Sequence, residues 1–223
     1  MSPTPLFFGG DANALGTVSA LPSSTFSDFV RDHLMVERRL PVTREQFFAL
    51  DKSERDRMKR QAYITPAVFR SPTSARRTGE ATSCNLVCLD VDQPTVAKQL
   101  LAQRWDDCLK GIAFVVWHTI SSTPDSPRLR VVVSATGIPV ARYASAARTI
   151  AGLLGMAEVT HESTVPVQPM FLPTTFADSE THPFVYVRAT GEPFSMSDIL
   201  SDADLALAGA NADAATAEMD IQY

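Results

Sequence analysis

The sequence has few cysteines and no long apolar run. Its 223 residues include three cysteines, Cys84, Cys88 and Cys108, and no paired CxxC motif, which argues against a disulfide framework and against a zinc site. No stretch approaches the roughly 20 unbroken apolar residues that cross a bilayer, and the first residues lack the basic start and apolar core of a signal peptide. We therefore expect a soluble cytoplasmic protein with no membrane partner, in which Cys84 and Cys88 pack in the core.

A general excess of positive charge is lacking too. The formal net charge is -5 at pH 7, so the chain has no global signature of nucleic-acid binding. Basic residues nevertheless cluster between positions 55 and 77, and guanidinium and ammonium groups on such a surface suit phosphates. A solvated surface face is the alternative. The residues predicted to bind DNA are Lys59, Arg60, Arg70, Arg76 and Arg77.

The strongest chemical signal is the segment LVCLDVD, residues 86–92. Its apolar, partly β-branched residues predict a strand that ends in Asp90 and Asp92. Side chains two apart on a strand share a face, so the two carboxylates would project side by side. Such a pair repels unless a cation neutralises it, and oxygen ligands suit Mg²⁺ or Mn²⁺. We predict a divalent-metal site here; the alternative is a turn followed by a helix cap.

A second functional signal is the strand–turn–strand segment at residues 114–133. Arg128 and Arg130 are two apart, so on a strand they would face the same way as two guanidinium forks suited to a triphosphate or a nucleic-acid backbone. Further candidate phosphate donors are His118, Ser121 and Ser122. A plain solvent-facing hairpin with a PDSP turn is the alternative.

Strands and amphipathic helices share most of the chain, which predicts an α+β fold. We expect helices capped at Ser24 or Thr25 and at Thr43, a loop over residues 65–83, and about five strands from residue 86 onwards. The predicted organisation is an irregular arm at 1–23, one domain at 24–200 and an acidic, Ala-rich tail or linker at 201–223.

Three of these motifs together resemble a known family. A strand ending in DxD, a Ser/Thr/His-rich segment running into PRLRVVV, and a downstream QPMFLP look like the phage- and plasmid-encoded primase-polymerases of the archaeo-eukaryotic primase superfamily. The resemblance covers residues 70–190. It implies a catalytic core with a mixed or antiparallel RNA-recognition-like sheet flanked by helices, and an N-terminal α/β unit. The implied activity is nucleotidyl transfer from nucleoside triphosphates on single-stranded DNA, using two Mg²⁺ or Mn²⁺ ions, in phage or plasmid replication in a bacterial cytoplasm. Such domains often precede a helicase, which the tail would suit.

Matching the motifs residue by residue assigns roles to the candidate residues. The resemblance implies that Asp90 and Asp92 hold the metals and that Arg128 and Arg130 grip the incoming triphosphate. The family's motif histidine lies within the hydroxyl-rich segment, whereas His118 stands at its start.

The third motif departs from the family pattern. The family's third acid falls at Thr160, which lies between Glu158 and Glu162. On a strand these three side chains would share a face, so either glutamate could reach the site. We predict Glu162 as the third catalytic acid; Glu158, Thr160 and the adjacent His161 are the alternatives for the residue that faces Asp90. The resemblance implies that Gln168, where relatives have Arg, contacts the nucleotide or the template; a hydrogen bond to nearby backbone is the alternative.

Other functions fit parts of the same pattern. The first alternative is a nucleotide- or DNA-binding replication module that has the same fold but has lost the chemistry, which the missing third acid favours. Two others are a metal-dependent nuclease that uses the same two aspartates and a phosphoesterase, the latter suggested by one HxS motif without a second copy. Nucleotidyl transfer is the leading hypothesis.

Overall fold

The computed structural model describes residues 7–198. The predicted tail at 201–223 and the start of the predicted arm lie outside this range. The strands are β1 (Phe7–Gly10), β2 (Thr17–Leu21), β3 (Tyr63–Thr65), β4 (Ala67–Phe69), β5 (Thr73–Ala75), β6 (Ala81–Val91), β7 (Phe114–His118), β8 (Leu129–Ile138), β9 (Met170–Phe171) and β10 (Phe184–Arg188). The α-helices are α1 (Phe26–Phe29), α2 (Arg44–Ala49), α3 (Lys52–Lys59), α4 (Pro94–Ala102) and α5 (Tyr143–Leu153). No helix within residues 7–198 is long and apolar enough to cross a membrane.

The α+β class predicted from the sequence is confirmed. The strands form two five-stranded antiparallel sheets, a first sheet in the order β5-β2-β1-β3-β9 and a second sheet in the order β10-β7-β8-β6-β4. The predicted helix caps are confirmed as well: the Thr25 hydroxyl accepts the Asp28 N–H, and Thr43 forms a capping box with Gln46.

The central strand β6 buries both of its faces, which explains its nearly continuous apolar sequence. Leu89 and Val91 pack in the cluster that includes α4 and α5, whereas Leu86 and Cys88 pack in a cluster with α1 and the first sheet. Asp90 continues the second row, because alternate residues of a strand share a face. Asp90 therefore lies on the face of β6 that packs against α1, and Asp92 follows directly after the strand.

The prediction of an irregular N-terminal arm is wrong for residues 7–21, which form β1 and β2. Phe7 and Phe8 are buried, and β1 lies in the middle of the first sheet. The glycines after them resemble a loop signal, but Gly10 is needed because a Cβ there would lie 2.5 Å from the Tyr63 hydroxyl oxygen. The predicted loop over residues 65–83 is also wrong. It contains β4, β5 and the start of β6, and strands of three residues are too short to show a period.

Candidate functional site

The end of β6, the starting end of β8 and the segment around β9 enclose a cleft of about 180 Å³. Antiparallel pairing brings these ends together, with Asp90 opposite Arg130 and Arg130 opposite Trp117. The residues that line the cleft are Leu40, Met58, Lys59, Gln61, Asp90, Asp92, Trp117, His118, Thr119, Ile120, Ser121, Arg128, Arg130, Phe171, Leu172 and Thr174. The cleft thus contains residues from all three sequence motifs.

Asp90 and Arg130 form a buried ion pair, which we name the inner pair. The Arg130 Nε donates to Asp90 Oδ1 at 2.7 Å, and Nη2 lies 2.6 Å from the same oxygen. The third guanidinium nitrogen, Nη1, donates to the Phe171 carbonyl at 2.7 Å. The side chains are only 10% and 16% exposed for Arg130 and Asp90. The Arg130 guanidinium is therefore fixed against the acid and against the QPMFLP segment.

A buried serine supports the same end of β6. The Asp90 N–H donates to Ser163 Oγ at 2.9 Å, and that hydroxyl lies 2.8 Å from Thr160 Oγ1. Ser163 is fully buried. Thr160, which stands where the family resemblance places a third acid, thus helps to hold the strand that carries Asp90.

Asp92 and Arg128 form a second, looser ion pair, which we name the outer pair. Arg128 Nη1 lies 3.7 Å from Asp92 Oδ2, and the two side chains are 39% and 52% exposed respectively. The backbone beside it is well held, because the Arg128 N–H donates to Ser122 Oγ at 3.0 Å and its carbonyl accepts the Thr119 N–H at 3.0 Å. The Arg128 guanidinium is thus free to move on a fixed strand end.

His118 is tied to the same turn. Its Nδ1 lies 3.0 Å from Ser122 Oγ, and Arg44 Nη1 donates to the Ser122 carbonyl at 3.1 Å. Burial, and secondarily the positive charge of Arg44, lower the pKa of His118 below its usual value of 6.5. The ring is therefore mainly neutral at pH 7. Ser122 is buried and organises the turn, whereas Ser121 lines the cleft.

Comparisons with known proteins found a matching family model and a similar solved structure. A family model described as the VapE N-terminal domain matches residues 22–202. The chain belongs to this family. A solved structure, the AEP domain of the primase-polymerase (PrimPol) from cyanophage S-2L, is similar with 18% identity and a TM-score of 0.41, covering 68% of this chain and 78% of that chain. A search of curated proteins found no match. The family match at residues 22–202 includes the segment 70–190 in which the sequence motifs resemble phage and plasmid primase-polymerases.

The third acid predicted for this VapE N-terminal domain lies away from the cleft. Residues 158–162 do not form a strand on which Glu158, Thr160 and Glu162 would share a face, because Glu162–Thr164 form a 3-10 turn. Glu162 is exposed and is not among the residues that line the cleft. Glu158 and Thr160 instead line a small depression beside Asp90 and Asp92. Glu158 is therefore the acid that the fold brings toward the pair.

The predicted DNA-binding residues have different environments. Lys59 lines the cleft, with its Nζ 3.2 Å from Asp56 Oδ1. Arg76 is committed to the fold: its guanidinium donates to the carbonyls of Leu15 and Val167 and lies over the Tyr63 ring. The remaining predicted contacts lie outside the cleft lining, and of these the three arginines are exposed: Arg60, Arg70, Arg77 and Gln168.

The carboxylates fit a cation that arrives with a phosphate ligand. Within residues 7–198 no group of three or more His, Cys, Asp or Glu side chains is arranged to hold a metal ion. Asp90 and Asp92 supply two carboxylates at one edge of the cleft, and Mg²⁺ is commonly held by one or two carboxylates together with substrate phosphates and water. Asp90 Oδ2 accepts no hydrogen bond from the described residues. One oxygen of the inner pair thus stays available to a cation.

Sequence reasoning missed Ser163 as a support for Asp90. The two residues are 73 positions apart, and the 3-10 turn that carries Ser163 has no periodic sequence signal. In the sequence, Ser163 stands out only as the serine of the HxS motif that begins at His161, and that motif indicates a phosphoesterase instead.

Proposed function

We propose that the cleft binds a nucleoside triphosphate with Mg²⁺ or Mn²⁺ and supports template-directed nucleotidyl transfer on single-stranded DNA. The observation that supports this is the meeting of two carboxylates, Asp90 and Asp92, with the cations of Lys59 and Arg128 around one cleft. Carboxylates suit a hard cation, and the basic groups suit phosphate oxygens. A site for an anion alone gains nothing from two acids at its edge.

Each side chain has a role that follows from its environment. The Arg128 guanidinium is loosely held and half exposed, so it can turn from Asp92 to the phosphates with its planar set of donors. That movement leaves Asp92 free to bind the cation. Lys59 adds a second positive charge to the lining of the cleft. The bound cation would neutralise phosphate charge and lower the pKa of the attacking primer hydroxyl.

Arg130 acts as a positioning residue for Asp90. Its three bonds to Asp90 and Phe171 fix the carboxylate in one orientation. The predicted grip of Arg130 on the triphosphate would require these bonds to break. Of the two arginines, Arg128 is thus the better candidate for the phosphate contact.

The test is nucleotide incorporation on single-stranded DNA, with dNTPs and NTPs supplied separately in Mg²⁺ or Mn²⁺. Asp92→Asn is the informative variant. Because Asp92 is half exposed, its removal leaves no buried charge without a partner. We expect Asp92→Asn to abolish incorporation. The matched control is Asp107→Asn, which removes another exposed aspartate paired with an arginine at 3.5 Å and should leave synthesis unchanged. Undiminished synthesis by Asp92→Asn would remove the proposed active site.

A second candidate function is nucleotide or DNA binding without chemistry. It is favoured by the Thr160 hydroxyl, which bonds Ser163 where a third acid is expected, and by the pairing of Asp90 with Arg130. No incorporation by the native chain, with nucleotide binding intact in calorimetry, would select this candidate. Thr160→Asp would then test whether the missing acid is the cause. In either case we propose a helicase that acts on the same DNA, in the host cytoplasm, as the partner.

A further inference from the structure

A second groove, of about 460 Å³, opens beside the cleft. The two share a wall made of His118, Thr119, Ile120 and Thr174. The rest of its lining includes Arg44, Lys98, Ser122, Phe176 and His182. A ligand in the second groove would therefore lie directly next to a nucleotide in the cleft.

The lining of the second groove differs in charge from that of the cleft. No aspartate or glutamate is among these lining residues, whereas the cleft contains Asp90 and Asp92. Two cations, two imidazoles and several hydroxyl groups line the space instead. Apart from the hydroxyls of Ser122, Thr174 and Thr175, which already bond other groups of the protein, these can donate hydrogen bonds to phosphate oxygens. The second groove thus favours an anionic ligand that brings no cation of its own.

Arg44 is held in place at the second groove by two contacts. Its guanidinium lies 5.1 Å above the centre of the Phe176 ring, and one nitrogen donates to the Ser122 carbonyl. Its other side-chain N–H groups have no acceptor within the part of the chain that the structure describes. Lys98 is exposed on α4 and forms no ion pair with the described residues. Both cations are therefore available to a phosphate.

We infer that the second groove holds the phosphates of a single nucleic-acid strand and leads the end of that strand to the cleft. This inference rests on the proposed function and names the path of its nucleic-acid partner. The volume lies within the roughly 300–1,000 Å³ of ligand pockets, which suits a short segment of a strand. The path differs from the predicted one along Arg70, Arg76 and Arg77, of which Arg76 is bound to backbone carbonyls.

Three double variants with the same change in net charge test the path. The groove variant is Arg44→Gln with Lys98→Glu, the variant of the predicted path is Arg70→Gln with Arg77→Glu, and the remote control is Lys52→Gln with Lys110→Glu. All these residues are exposed, and thermal melts would check that each variant folds. Binding of a fluorescent oligodeoxythymidylate is measured by anisotropy over a range of salt concentrations, and binding of dATP with Mn²⁺ is measured by calorimetry.

We expect the groove variant to bind the strand about tenfold or more weakly. The slope of the logarithm of the binding constant against the logarithm of the salt concentration should also fall in magnitude by about one to one and a half, because each phosphate contact to a single strand contributes about 0.7 to that slope. The other two variants should change strand affinity by less than about threefold, as expected for long-range charge effects that salt screens. The loss of dATP affinity in the groove variant should be at least fivefold smaller than its loss of strand affinity.

Three results would overturn the inference. Equal losses in all three variants would mean that general charge, not the groove, attracts the strand. Unchanged strand binding in the groove variant would exclude the path, and equal losses of dATP and strand affinity would place a free nucleotide there instead. Failure of the proposed chemistry is a separate result. If the native chain incorporates no nucleotide but the groove variant still binds the DNA strand more weakly than the native chain, the strand path stands and only the proposed chemistry is wrong.

Discussion

The inner and outer pairs have the same residue types, two positions apart on the same two strand ends, but their environments differ. The inner pair, Asp90 with Arg130, is buried and has contacts of 2.6 and 2.7 Å, and Arg130 also bonds the Phe171 carbonyl. The outer pair, Asp92 with Arg128, is half exposed and 3.7 Å apart. The difference shows that depth below the surface, rather than residue type, separates a charge that holds the site together from one that can meet a ligand.

The energetics of the two pairs differ for the same reason. A buried ion pair contributes little net stability, but removal of one partner leaves an uncompensated charge that costs about 3–5 kcal/mol. An exposed pair contributes only about 0–1 kcal/mol, because water screens it and the side chains lose freedom. The inner pair therefore couples β6, β8 and the segment around β9, whereas the outer pair can open at small cost.

The largest effect is expected from Asp90→Ala, which should lower the free energy of unfolding by about 3 kcal/mol because Arg130 stays buried without a partner. Urea denaturation measures it. Asp90→Ala combined with Arg130→Met should recover a large part of the loss, since no charge is then left buried. The comparison fails if Asp92→Ala destabilises the chain as much as Asp90→Ala does.

Ser163→Ala should have the next largest effect, because it leaves the Asp90 N–H without its acceptor. We expect a loss of about 1–3 kcal/mol in the free energy of unfolding and faster hydrogen exchange at the Asp90 amide. Thr160→Val, which removes only the outer hydroxyl of this chain of bonds, should cost less. Unchanged exchange at Asp90 in Ser163→Ala would show that the serine does not support the inner pair.

The sequence predicted the parts of the site that depend on local periodicity. Asp90 and Asp92 share a face and meet Arg128 and Arg130, because the period of two is a local property of any strand. The register that sets Arg130 opposite Asp90 is not local, so the sequence could not distinguish a buried pair from two free guanidinium groups. The role expected of Glu162 depended on a strand, and a 3-10 turn stands there instead. Nothing in the neighbouring sequence distinguishes a strand from a 3-10 turn after α5.

The smallest effect on stability is expected from Arg128→Ala, at about 0.5 kcal/mol or less, because the outer pair is open to water. Its effect on ligand binding should be larger: we expect the affinity for dATP with Mn²⁺ to fall about tenfold, which corresponds to about 1.4 kcal/mol. Arg128→Lys keeps the charge but not the planar fork, so its affinity for dATP should lie between those of the native chain and of Arg128→Ala. Calorimetry and urea denaturation on the same samples separate the effects. If Arg128→Ala lost stability on the scale of Asp90→Ala and retained its affinity for dATP, the outer pair would also be a structural pair, and the phosphate contact would have to come from another group such as Lys59.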